Sequence, residues 1–347
     1  MAVTLSDVAR HAGVSLATAS RALNGSARTV KEDLAAKVRS SADALGYLPN
    51  APAQALARSS TATVGVLLHD VADPYFGAVA RGASDAAVEA GLLPLVVSTD
   101  ADPERELRSI RTLHAQRVRA IILAGSAYTD RAATRAIDAA LAAYRDGGGT
   151  VAAITDHGAG YDTVCPANRR GAADLTRALI AEGHRRFAVI TGPARLRVPG
   201  ERLRGVRDAV REAGLPLDEL DVERSEFSRQ GGREATSRLL DRAAGPQGLP
   251  TAILALSDVC AVGALAELRA RGIDVPGQVS VAGFDDIPLA TDLAQPLTTV
   301  RMPLESMGGE AVRLALQQSE LPGDRTARRI ALPVEIIKRE STGRPRP

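Results

Sequence analysis

Thr4-Leu5-Ser6-Asp7-Val8-Ala9-Arg10-His11-Ala12-Gly13-Val14-Ser15-Leu16-Ala17-Thr18-Ala19-Ser20-Arg21-Ala22-Leu23-Asn24 is the stretch on which the reading of this chain turns. Thr4-Leu5-Ser6-Asp7 has the form of a capping box, with the Asp7 carboxylate placed to accept from a backbone amide at the helix start. Leu5, Val8, Ala9 and Ala12 then recur at helical spacing. Gly13 ends that helix, and Ser15 can cap another that begins at Leu16 and buries Ala19 and Leu23. Val30, Leu34, Val38 and Leu45 mark a longer third helix, ended by Gly46. Two short helices joined by Ala12-Gly13-Val14-Ser15 make a helix-turn-helix, whose second helix enters the major groove of DNA. Its outward positions are Leu16, Ala17, Ser20 and Arg21. Arg21 can make a paired contact to guanine, while Leu16 and Ala17 suit thymine methyl groups. A small helical bundle with no nucleic-acid role would show the same pattern.

Charge points the same way, though weakly. Residues 1–60 carry seven Lys/Arg against four Asp/Glu, a surplus of three in a chain whose net charge is +2. A basic head on a neutral body suits a polyanionic partner. The 347 residues allow two or three domains, and 45% apolar with 24% charged residues is ordinary for a soluble globular protein. No apolar run is long enough to span a bilayer, and the first residues do not read as a secretory signal. Cys165 and Cys260 lack metal-ligand spacing and fit a reducing cytoplasm.

The order of residues sharpens this. Thr4 to Ala9, Ala12-Gly13-Val14-Ser15, Thr18 to Asn24, Leu45-Gly46-Tyr47-Leu48-Pro49-Asn50 and Ala53-Gln54-Ala55-Leu56-Ala57 together closely resemble the headpiece of the lactose-repressor (LacI/GalR) family, and the resemblance extends along the whole chain. It implies a DNA-contacting set of Thr4, Ser15, Leu16, Ala17, Ser20, Arg21, Asn24, Lys31, Asn50, Ala53 and Leu56. It also implies a hinge helix over Asn50 to Ala57 that forms on operator DNA, as so short a helix needs partners. Leu56 then matches the leucine that wedges into the minor groove and bends the duplex. Two residues depart from the pattern. Pro52 lies in the hinge, tolerable in a first helical turn if Asn50 is the cap. Lys31 stands where the family usually has a capping serine, which puts the cap in doubt and offers a phosphate contact instead.

From Val64 onward, short apolar strands alternate with helices: Val64 to Leu68, Leu95 to Val97, Ala120 to Leu123 and Val151 to Ile154, then Phe187 to Ile190, Ala252 to Leu256 and Val279 to Ala282. That alternation implies parallel sheets covered on both faces. The expected fold is an α/β body of two doubly wound parallel-sheet lobes, similar to periplasmic binding proteins, with an all-α helix-turn-helix head. Expected boundaries are residues 1–49 for the head and 50–60 for hinge and linker. Residues 61–160 plus 292–325 form one lobe, and 161–291 plus 326–347 the other.

Ligands in such folds sit beyond the carboxyl ends of strands. The residues there match the family's effector-cleft motifs, and the resemblance puts the effector between lobes that the chain crosses three times. The candidate contacts are Tyr75, Phe76, Asp156, Arg202, Phe227, Ser257 and Asp285. Arg202 leads, since an arginine can make paired hydrogen bonds to a ligand. Asp156 divides evenly between ligand contact and loop cap. Asp258 reads as a helix N-cap, Phe284 as core, and Asp70 and Asp73 as turn residues. Ser257 stands where the family often has asparagine, and Met302 is less polar than its counterpart in the lactose repressor, so no particular ligand transfers.

An enzyme is disfavoured. Gly147-Gly148-Gly149-Thr150-Val151-Ala152 fits a dinucleotide signature, but it precedes a strand instead of joining strand to helix. The expectation is a non-enzymatic, cofactor-free, metal-free cytoplasmic repressor, nucleoid-associated when bound to its operator. It would be dimeric, with no heptad tail for tetramers, and would bind a near-palindromic operator and a sugar-like effector, Arg202 being balanced by Asp156 and Asp285. Alternatives are a regulator of the same fold that answers to a nucleobase or to no small molecule, and a solute-binding protein, which would need an export signal.

Overall fold

The computed structural model describes residues 3–24, 30–47, 60–158, 160–218, 221–243, 248–318 and 326–346, with the Asn24 side chain excepted. It divides into two units, residues 1–62 and 63–347. The hinge candidates Asn50, Pro52, Ala53 and Leu56 lie outside the described residues.

Among the described residues, the first unit holds three helices, α1 (Leu5–Ala12), α2 (Leu16–Asn24) and α3 (Glu32–Leu45). The capping box at Thr4 and Asp7 is formed: the Asp7 N–H donates to Thr4 Oγ1 and the Thr4 N–H to Asp7 Oδ2. Gly13, at φ 67°, turns the chain out of α1 in the left-handed region that suits glycine. Ser15 then caps α2, its Oγ accepting from the Thr18 N–H at 3.1 Å. Val8, Ala9, Ala12, Ala19, Val38 and Ala42 form the core. Small side chains at the crossings let the three short helices approach closely.

Among the described residues, the second unit holds twelve strands: β1 (Thr63–Leu68), β2 (Leu93–Ser98), β3 (Ala120–Leu123), β4 (Thr150–Ile154), β5 (Asp162–Pro166), β6 (Phe187–Thr191), β7 (Val222–Arg224), β8 (Ala252–Ala255), β9 (Ser280–Ala282), β10 (Thr299–Arg301), β11 (Arg329–Leu332) and β12 (Glu335–Ile337). One sheet runs β11-β5-β4-β3-β1-β2 and the other β7-β6-β8-β9, both wholly parallel. β3, β4, β6 and β8 are buried throughout, as sheets covered by helices on both faces require. β10 and β12 form an antiparallel pair, and bridges at Ala282–Thr298 and Asp285–Arg301 carry β10 along the edge of the second sheet.

Three lobe boundaries fall later than expected. Residues 162–166 and 329–332, expected in the second lobe, pair with β4 and each other in the first sheet. Residues 292–301, expected in the first lobe, end in β10 on the second. Each is a short segment whose placement depends on pairing with strands distant in sequence.

Glycine sets one helix contact in the first lobe. A Cβ on Gly82 would stand 1.9 Å from the Glu305 carbonyl oxygen, and one on Gly308 would stand 2.0 Å from that of Val79. The helices Pro74–Glu89 and Leu304–Gln318 therefore pack backbone to backbone. Among the described residues, no helix is long and apolar enough to cross a membrane.

Candidate nucleic-acid interface and effector cleft

In the first unit, α2 turns Leu16, Ala17 and Arg21 to solvent and leaves Ser20 half-buried. Leu16 is 52% exposed at the start of the helix, which leaves its side chain open to a partner. Thr4 and Ser15 are engaged in caps. Lys31 occupies the N-cap position of α3 without a side-chain capping bond, so this departure from serine leaves the cap unfilled.

In the second unit, the carboxyl ends of the strands converge on a cleft between the lobes. Its walls include His69, Tyr75, Phe76, Ser126, Thr155, Val198, Arg202, Phe227, Ser257 and Asp285. Six of the seven expected contacts are thus brought together. Asp156 is not: its carboxylate accepts from the Gly158 N–H and pairs with Arg329 at 3.1 Å, facing other grooves. Thr155, at φ 72°, turns the chain so that its own side chain takes the cleft and Asp156 points away.

Arg202 anchors the cleft floor. Its Nε donates to Asn168 Oδ1 at 2.9 Å, Nη1 to the Leu256 carbonyl at 2.8 Å, and Nη2 to Asp285 Oδ1 at 2.8 Å. Its guanidinium lies over the Phe284 ring, 3.9 Å from the centroid. Phe284 is fully buried, core as expected, but also a stacking platform. Burial pushes the Asp285 carboxyl above the usual carboxylate range, against the pull of Arg202. Asp285 sits at φ 120°, a backbone position disfavoured for side chains, and Asp258 helps to hold its loop there. Asp258 is not the expected N-cap, since Ser257 takes that position. The buried Asp258 carboxylate instead accepts from the Ile287 N–H at 2.9 Å and the Thr299 hydroxyl at 2.6 Å.

The opposite wall is aromatic. Asp73 caps the helix Pro74–Glu89 through the Tyr75 N–H, and Tyr75 meets Phe76 edge-on at 4.8 Å. Asp70 accepts from the Ala72 N–H and is a turn residue as expected, whereas Asp73, expected in a turn, is the helix N-cap and lines the cleft. His69, missed as a contact, directly follows β1 beside Phe76, and its Nε2 is buried with no hydrogen-bond partner. Burial pushes its imidazole down to about 4, so it is neutral at pH 7. Thr155 Oγ1 is likewise buried without a partner. Both follow strands directly, a signal that could have singled them out.

The lobes are laced together at the cleft mouth. The Arg197 N–H donates to the Ala127 carbonyl at 2.9 Å, the Val198 N–H to Ser126 Oγ at 3.1 Å, and the Thr129 N–H to the Arg195 carbonyl at 2.8 Å. In this closed arrangement the cavity measures about 50 Å³. Ligand sites usually span ~300–1,000 Å³, so admitting a metabolite requires the lobes or the cleft side chains to move apart.

Comparison with known proteins accounts for both units. Residues 4–50 match the profile of bacterial regulatory proteins of the lacI family, and residues 176–342 match a periplasmic binding protein-like domain. The HTH-type transcriptional regulator DegA of Bacillus subtilis is 34% identical, covering 99% of this chain and 98% of its own. GalS of Salmonella typhimurium is 36% identical over 98% of this chain and 96% of its own. A crystal structure of the lac repressor dimer, bound to operator and the anti-inducer ONPF, superposes with a TM-score of 0.85 at 26% identity, covering 99% of this chain and 100% of that one. The complex of the regulator CelR with cellobiose gives 0.70 at 30% identity, covering 98% and 99%. These relatives are regulators, not enzymes, and the chain belongs to the lacI family of DNA-binding transcriptional regulators.

Proposed function

We propose that this regulator is a cytoplasmic repressor that binds a near-palindromic operator as a homodimer and answers to a neutral, polyhydroxylated effector, a sugar or a close relative. The observation that carries the ligand class is the cleft lining, where Tyr75, Phe76 and Phe227 meet His69 and Thr155, each of which holds a buried polar atom without a partner. Buried polar atoms are normally paired, and each left unmade costs about 1–3 kcal/mol. A hydroxyl group can satisfy either, while Tyr75, Phe76 and Phe227 offer the flat faces that sugar rings stack on. Neutrality follows from the floor, where Arg202 already spends its donors on Asn168, the Leu256 carbonyl and Asp285 and offers no free cation to a ligand. Asp156, expected to help balance Arg202, plays no part in that floor.

On the DNA side, Leu16, Ala17, Ser20 and Arg21 face the major groove, with Lys31 on phosphate and Leu56 wedged in the minor groove. The dimer is supported by apolar side chains left open on the first lobe: Val88, Leu93 and Val96 are 64%, 62% and 40% exposed. Effector acts through its differential affinity for the open and closed lobes, which alters hinge spacing. A thermal-shift screen of neutral sugars against their charged analogues tests the ligand class. Neutral sugars should raise Tm. Stabilisation by sugar acids alone, or by none of the panel, would contradict it.

A further inference from the structure

Beyond the cleft, a second cavity of about 540 Å³ lies on the outer side of the lacing strand of chain, sharing only Leu196 with the first. It is lined by Arg197, Gly200, Arg204 and Arg207 from the helix Arg197–Glu212, by Arg224 at the end of β7, and by Thr129 and Asp156 from the first lobe. The spacing of the helix residues, three or four apart, puts them on one face.

Arginines on the nearby surface are occupied: Arg169, Arg177, Arg195 and Arg211 each hold a carboxylate. Among the described residues, Arg197, Arg204 and Arg224 form no such ion pair, and Arg224 donates only to the Gly192 carbonyl. Two carboxylates share the wall: Asp156 is paired with Arg329, and burial raises the Glu201 carboxyl against the pull of Arg204. The first-turn amides are already engaged, Arg197 N–H on the Ala127 carbonyl and Val198 N–H on Ser126 Oγ, so the guanidinium groups alone supply the positive charge here. Leu196 and Leu203 add apolar wall. The volume is that of a small-molecule site, not of a macromolecular interface.

We propose that this groove binds a small phosphomonoester, its phosphate gripped by Arg197, Arg204 and Arg224 and its carbon skeleton laid against Leu196 and Leu203. Guanidinium forks match phosphate oxygens, and three unpaired ones around a concave site are a strong dianion receptor. The proposal is independent of the sugar reading, because it concerns a different cavity and a charged ligand.

The test is calorimetric titration of the full-length protein, without DNA, with glycerol 3-phosphate, inorganic phosphate and glycerol. The ester should bind one per chain and tighter than inorganic phosphate, with no heat from glycerol. Arg204→Ala and Arg224→Ala remove exposed side chains, and each should weaken the ester about tenfold while leaving Tm unchanged. Arg111→Ala, on the far side of the first lobe, should change nothing. Absence of saturable ester binding would overturn the proposal. So would equal affinity for ester and inorganic phosphate, or an equal loss in Arg111→Ala, which would mark a diffuse charge effect.

Discussion

Replacing Arg202 with methionine isolates the interaction on which the cleft floor depends. The guanidinium is 4% exposed and the Asp285 carboxylate 5%, so the variant leaves a buried carboxylate with its cation gone. It also strands Asn168 Oδ1 and the Leu256 carbonyl. Breaking a buried pair from one side costs ~3–5 kcal/mol. For a body of this size that corresponds to a fall in Tm of roughly 6–15 °C by calorimetry. The companion variant, Arg202→Met with Asp285→Asn, removes the stranded charge and should recover at least half of the loss. The pH dependence carries a sign. Burial holds the folded Asp285 carboxyl above its unfolded value, so the folded state binds the extra proton. Without Arg202 to oppose that, the variant keeps its stability at low pH and loses it as pH rises. Its deficit against wild type should therefore shrink from pH 7 toward pH 4, and the double variant should show no such trend. If the double variant were as unstable as the two single losses added, the pair would not be coupled and the account of the floor would fail.

Other outcomes follow from the same geometry. Burial puts both His69 and His157 at about 4, so the folded chain binds fewer protons than the unfolded one below the usual histidine value. Stability should be full above about pH 6.5 and fall with acidification, by ~2 kcal/mol per histidine at pH 5. Urea midpoints at pH 7 and pH 5 check this, and His69→Asn should flatten the slope. Gly308→Ala would force a Cβ to 2.0 Å from the Val79 carbonyl oxygen, and the loss of about 1–3 kcal/mol should appear in the urea midpoint. Arg21→Ala should relax preference at one base position per half-site, a discrimination of about 1–3 kcal/mol, read by binding to a randomised operator library. Leu56→Ala should weaken specific binding far more than non-specific binding, and equal losses in a competition assay would remove the wedge.

The head was legible because its signals are local. A capping box, a left-handed glycine and a capping serine each act within four residues, and each takes the form its sequence implies. The cleft was legible where strands end: Tyr75, Arg202 and Asp285 arrive together because parallel strands deliver their carboxyl ends to one edge. What escaped depends on contacts distant in sequence. Nothing near Asp162–Pro166 says that it pairs with β4. Asp156 divides evenly between ligand contact and loop cap in the sequence, and one backbone torsion, at Thr155, decides that Thr155 faces the cleft instead. Asp258 looked like a cap because it begins a helix, whereas its partners lie 29 and 41 residues away.

Control of sequence-specific DNA binding by a cleft ligand is open to direct measurement. The direct measurement selects an operator from random duplexes, then titrates it with full-length wild type and Arg202→Met, each with and without the sugar that raises Tm. A selected site should be near-palindromic, and the sugar should shift wild-type affinity about 5–150-fold, the range of ordinary allosteric coupling. Arg202→Met should bind the same site with no shift. Failure to enrich any sequence, or an equal sugar response in the variant, would contradict the account.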